Sequence, residues 1–156
     1  MNRHLARTLA MQTIYEWDFQ AHKSIHEMLA SNVNAVDHAD DDTVFVEKLI
    51  NGVVANKEEI DGLITTAAPE WPLDQISVVD KSILRLAIYE ILHETDVPAK
   101  VAINEAVELA KTFGGDNSSR FVNGVLGTIY RQTERFKQDS ANQPATGVAE
   151  TTEDKE

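Results

Sequence analysis

The segment Val79–Glu94 is apolar almost all round: Val79, Ile83, Leu84, Leu86, Ala87, Ile88, Tyr89, Ile91 and Leu92 leave only a narrow polar stripe of Ser82, Arg85 and His93. A helix with so little polar surface must hide most of itself, so this segment predicts a central, mostly buried helix.

The flanking segments carry one-sided patterns at the three-four spacing of amphipathic helices. Over residues 3–19, Ala6, Leu9, Ala10, Thr13 and Trp17 are expected to face a core. His4, Arg7, Thr8, Met11 and Tyr15 fall on another face, expected to form an exposed strip of cations and an aromatic. A short, weaker helix is expected around Ser24–Ala30, and residues 43–67 predict one long helix, ended by Pro69-Glu70-Trp71-Pro72 because neither proline suits a helix interior. Asp40-Asp41-Asp42 stand where that helix begins, and negative charge is stabilising there. Capping is preferred to a metal site for this triplet, since no Gly or Glu follows at calcium-loop spacing.

Further on, Asp96 can cap a helix over residues 98–113, with Pro98 tolerated in its first turn. Gly114-Gly115 ends it, where positive φ is needed. Asp116-Asn117-Ser118 then offer capping oxygens to a last helix running through Arg135. Gly124 and Gly127 weaken that helix by roughly 1 kcal/mol each relative to Ala, which predicts close approach to a neighbouring helix. The fold class expected is all-α, with a helical domain over residues 1–136 and an acidic, disordered tail over 137–156.

A net charge of −12 argues against broad, non-specific nucleic-acid binding, which draws most of its free energy from cations neutralising phosphates. Any RNA contact must use a local patch, with help from a basic partner. The absence of cysteine excludes disulfides and thiolate chemistry and suits a reducing cytoplasm. The N-terminal residues lead into an amphipathic pattern rather than a signal peptide, and no apolar run approaches the ~20 residues of a spanning helix. A cytoplasmic protein without membrane contact is therefore expected.

No set of residues supports catalysis, and neither a cofactor nor a metal is expected. There is no G-x-S-x-G and no Gly-rich phosphate loop with its Lys-Ser/Thr ending. His22 and His26 are four apart, but no third ligand accompanies them. Glu105 and Glu108 read as a solvated face, with Glu108 near Lys111. Binding fares better. Arg3, His4, Arg7 and Tyr15 mix cations with a ring, as surfaces that hold single-stranded RNA do, although such a strip is also ordinary solvated surface. The start of the last helix, beside Ser118, Ser119 and Arg120, is a second anion-binding candidate. Phe121 there suits either a core or a stacking ring.

The run Val97-Pro98-Ala99-Lys100-Val101-Ala102-Ile103-Asn104-Glu105-Ala106-Val107-Glu108-Leu109-Ala110-Lys111-Thr112-Phe113-Gly114 resembles the signature of the NusB family, as does Arg120-Phe121-Val122-Asn123-Gly124-Val125-Leu126. Ala6-Arg7 with Ala10–Tyr15, and Val79–Glu90, resemble the family's first and central helices, in the right order. The resemblance spans roughly residues 3–130. It implies an all-α, compact NusB-like fold of two packed helical subdomains. It also implies a role in bacterial transcription antitermination, chiefly of ribosomal RNA operons. Such proteins pair with NusE, a small ribosomal protein. The pair binds boxA-type single-stranded RNA in the transcription elongation complex, and neither protein is an enzyme.

Carried onto this chain, the resemblance assigns RNA contact to Arg3, His4 and Arg7 and to Asn117, Ser118, Arg120 and Phe121. It assigns partner contact to Tyr15, Asp74 and Asp80. Many relatives have an arginine cluster before the first helix, whereas here only Arg3 and Arg7 remain, with His4 between them. Fewer cations release fewer counterions, which predicts weak RNA binding without a basic NusE. The rival readings are a helical adaptor or homodimer, and a NusB-like domain related to ribosomal RNA cytosine methyltransferases. The second is disfavoured because no methyltransferase fold fits after residue 136.

Overall fold

The structure is a computed structural model and describes residues 1–142. Its helices are α1 (Arg3–Phe19), α2 (Ile25–Asn34), α3 (Asp40–Ala55), α4 (Lys57–Ala67), α5 (Val78–His93), α6 (Ala99–Phe113), α7 (Asp116–Arg131) and α8 (Glu134–Ala141), with a 3₁₀ turn at Leu73–Gln75. Among the described residues there is no strand. The all-α expectation therefore holds.

Helix α5 is the axis of the molecule and packs against α1, α3, α4, α6 and α7. The helices α1, α2 and α3 pack on one another, α6 packs on α7, and α5 joins the two groups. One hydrophobic core runs through both, from Ala6 and Leu9 to Leu126 and Ile129. The encirclement of α5 is more complete than its sequence suggests, because Ser82 and Arg85 of the polar stripe are buried too and only His93, at the end of the helix, stays exposed. Ser82 is fully buried and returns its hydroxyl to the carbonyl of Val78 at 2.7 Å. Arg85 is also buried, and its guanidinium is matched by two carboxylates, Asp61 and Asp18.

Local chemistry sets the helix starts. Asn2, Ser24, Ser77 and Thr133 each accept a backbone N–H at the beginning of α1, α2, α5 and α8. In the aspartate triplet it is Asp42 that takes the capping role, accepting the N–H of Ala39 at 3.0 Å and facing the N-terminal ammonium at 3.4 Å.

Several boundaries differ from expectation. The long helix over 43–67 is two helices. Asn56 leaves helical geometry, and its side-chain amide bonds the carbonyl of Gly52 at 2.7 Å, competing with the backbone. The N-cap of α6 is Pro98 rather than Asp96, with no side-chain cap. Of the glycine pair only Gly115 has positive φ, at 96°, and it is itself the N-cap of α7. The expected last helix breaks at Gln132 and restarts as α8, which runs beyond residue 136 to Ala141. Tyr130 packs edge-on to Phe136 and bonds Asp139, and these contacts hold α8 against α7. The rest of the expected tail lies outside the described residues.

The close approach expected at Gly124 is absent, since a Cβ built there would meet nothing within 4 Å. A Cβ at Gly127 would meet only the Arg131 side chain of its own helix, whereas one at Gly52 would run into the ring of Tyr89 and one at Gly114 into the side chain of Ser118. No helix among the described residues is long and apolar enough to cross a membrane.

Candidate nucleic-acid and partner interface

The candidate surface has two halves, one at the start of α1 and one at the start of α7. In the first, the Asn2 cap leaves Arg3 and His4 exposed on the opening turn. The Arg3 guanidinium lies 3.6 Å from the centroid of the Phe45 ring on α3, which fixes a cation on an aromatic face. His4 Nδ1 lies 2.9 Å from Glu105 Oε1, so the carboxylate read as solvated face ties α6 to the start of α1.

Arg7 departs from the expected exposed strip. Only 5% of it is exposed, and its Nε lies 3.0 Å from both oxygens of Glu90, itself 1% exposed. Met11 is buried as well. The physical reason is that α1 packs against three helices, α2, α3 and α5, so its buried face is wider than its apolar stripe. Burial pushes the Glu90 carboxyl above its ordinary range, Arg7 pulls it back, and the neighbouring Glu94 and Glu105 charges raise it further. Arg7 therefore neutralises an interior carboxylate beneath the surface that Arg3 and His4 occupy.

In the second half, Gly115 turns the chain into α7 without a side-chain cap. Its first turn thus keeps free N–H groups, as an anion site requires. Asn117 and Arg120 are exposed and joined, with Arg120 Nη2 donating to Asn117 Oδ1 at 2.8 Å. Ser119 is buried and bonds the carbonyl of Asp116 at 2.9 Å. Phe121 is half-buried, and its ring meets Trp71 edge-on, centroids 6.5 Å apart. Helix α6 links the halves, through His4–Glu105 at its middle and the Gly114-Gly115 turn at its C-terminal end.

Of the three expected partner residues, two are exposed and one is buried. Tyr15 is exposed and stacks edge-on with exposed Phe19 at 5.1 Å. Asp74 is exposed on the 3₁₀ turn. Asp80 is 8% exposed, in the first turn of α5, and its Oδ1 has no hydrogen-bond partner. Burial raises its pKa, while the hydroxyls of Ser118 and Ser77 lower it. Asp80 thus sits at the junction of the α5 and α7 starts, beneath Ser118.

Sequence reading missed Phe19 and Trp71 as exposed rings, 60% and 50% accessible, and Arg85 as a buried centre of charge. Phe19 falls one turn after Tyr15, a spacing that could have flagged it. The isolated Trp71 offered only its place between two prolines. His22 and His26 share no helix, since His22 precedes α2 and His26 bonds Asn51 at 2.6 Å. Among the described residues no three His, Cys, Asp or Glu side chains are grouped to hold a metal.

The sequence model of the NusB family matches residues 4–131. The chain is 43% identical over 142 residues to a transcription antitermination protein NusB of Dehalococcoides mccartyi (strain CBDB1), covering 91% of this chain and 96% of that protein. The fold is similar to that of T. maritima NusB, with a TM-score of 0.80 at 32% identity over 88% of this chain and 98% of the other. It is also similar to a chain in the crystal structure of antitermination factors NusB and NusE in complex with dsRNA. There the TM-score is 0.76 at 26% identity, over 85% of this chain and 100% of that one.

Proposed function

The chain belongs to the NusB family, and on that premise we propose that it is a transcription antitermination factor that grips boxA-type single-stranded RNA together with a basic NusE-type partner in the cytoplasmic elongation complex. The role requires binding and no chemical step. In this reading Arg3 and His4 form one end of the RNA surface, and Asn117, Ser118, Arg120 and Phe121 the other. Arg7 acts from beneath, as the counter-charge of Glu90 that holds α1 on α5. Tyr15 and Asp74 contact the partner, and Asp80 positions the α7 turn through Ser118.

The observation that carries the proposal is the first turn of α7. Its uncapped N–H groups, the exposed Arg120–Asn117 pair and the adjoining Phe121 ring bring phosphate and base chemistry together on a chain of net charge −12. The test is a titration of boxA RNA with and without NusE. Binding is expected to be weak alone and strong with NusE, because opposite potentials favour the acidic chain's association with a basic protein. Tight binding independent of NusE would sink the idea of partner dependence. Absence of binding under both conditions would sink the RNA role itself.

A further inference from the structure

We propose that Trp71 is a stacking platform for one nucleobase of the bound RNA, extending the α7 surface beyond Phe121 onto the turn that follows α4. The inference rests on the RNA-binding reading above. Half of the Trp71 surface faces solvent, and its ring meets Phe121 edge-on at 6.5 Å, so the two rings form one continuous aromatic edge.

The main chain that carries the ring is held by backbone hydrogen bonds, and the ring itself by its edge-on contact with Phe121. The Trp71 N–H donates to the carbonyl of Ala68 at 3.0 Å, and the carbonyl of Pro72 receives the N–H of Gln75 at 2.8 Å. Pro69 and Pro72 restrict the backbone on either side of the turn. A platform fixed before binding loses little conformational freedom when a base lands on it.

Charge decides which part of RNA can sit there. Glu70 and Asp74 lie on either side of Trp71 in sequence and are exposed, so a phosphate is repelled from this turn. Arg120 and the free N–H groups of α7 attract phosphate on the other side of Phe121. A strand whose backbone follows α7 therefore presents an uncharged base, rather than a phosphate, to Trp71.

The chain has two tryptophans, Trp17 and Trp71, so a fluorotryptophan-labelled protein gives two fluorine NMR signals, assigned with Trp17→Phe. Adding a boxA-type RNA oligonucleotide to the labelled protein bound to NusE is expected to shift the Trp71 signal. Trp71→Ala is expected to weaken RNA binding roughly 5- to 150-fold, the range of a lost base–ring stack. The salt dependence should be unchanged, since no phosphate contact is removed. Trp71→Phe should restore most of the affinity, and NusE affinity should be unaffected. A Trp71 signal that responds to NusE and not to RNA would overturn the inference in favour of a protein contact. So would undiminished RNA binding by Trp71→Ala. If the unaltered protein binds no boxA RNA even with NusE, the RNA role itself fails. RNA binding by the unaltered protein with a silent Trp71 signal defeats the platform alone.

Discussion

Arg7 shows how a single contact reassigns a residue. An exposed arginine at the start of α1 would attract phosphate, but this one is buried against Glu90 and matched by both carboxylate oxygens. Removing one member of a buried pair leaves the other uncompensated, so Arg7→Met is expected to cost about 3–5 kcal/mol in urea unfolding at neutral pH. The sign of its pH dependence follows from Glu90, whose folded-state pKa is already above its ordinary 4.5 and rises further without Arg7. A group with a raised folded pKa binds more protons folded than unfolded, so stability falls as pH rises through that pKa. The loss in Arg7→Met should therefore be largest near neutrality and shrink as pH falls towards 4.5. A pH-independent loss would argue that Glu90 does not carry it. Gly52 is the second such residue. Gly52→Ala must displace the Tyr89 ring, whose hydroxyl bonds Glu94 Oε2 at 2.6 Å. A net loss of about 1–3 kcal/mol is expected, although Ala favours a helix in isolation.

Among the elements, α7 and α8 divide the labour. The first turn of α7 is aimed by Gly115, whose φ of 96° an L side chain rarely adopts. Gly115→Ala is expected to destabilise by about 1–2 kcal/mol. It should also weaken RNA binding more than an equally destabilising core change, because the turn itself is re-aimed. Equal RNA loss in both variants would show that the turn has no special role. Helix α8 serves the far end of α5. Arg135 donates to the carbonyls of Ile91 at 3.1 Å and of Glu90 and Glu94 at 3.4 Å, and also to that of Val97, so one guanidinium gathers the last turn of α5 and the loop that follows it. Arg135→Ala should cost about 1.5–3 kcal/mol in thermal unfolding, the range for hydrogen bonds to a charged group.

For the whole molecule, charge and burial set the limits of RNA binding. With Arg7 enclosed, the exposed arginines of the two candidate halves are Arg3 and Arg120. Single strands release roughly 0.7 counterions per neutralised phosphate, so without NusE two arginines set a slope of log affinity against log salt of about −1.4 or shallower. Binding titrations at several salt concentrations check this, and a steep slope would mean that other cations reach the RNA. The sequence by itself determined the all-helical class, the central place of α5 and the turn that opens α7. Apolar periodicity and the demands of glycine and proline are local properties, legible in a window of a few residues. It also marked the helix start beside Ser118, Ser119 and Arg120 as an anion-binding candidate, while Asn117 and Phe121 entered through the family resemblance. Only the tertiary structure decided that Arg7, Ser82, Arg85 and Asp80 lie inside, since partners such as Glu90, Asp61, Asp18 and Ser118 come from distant parts of the chain. Only packing joined Trp71 to Phe121 and left no room for a side chain at Gly52. A polar residue's exposure depends on what packs over it, and helical periodicity carries no record of that neighbour.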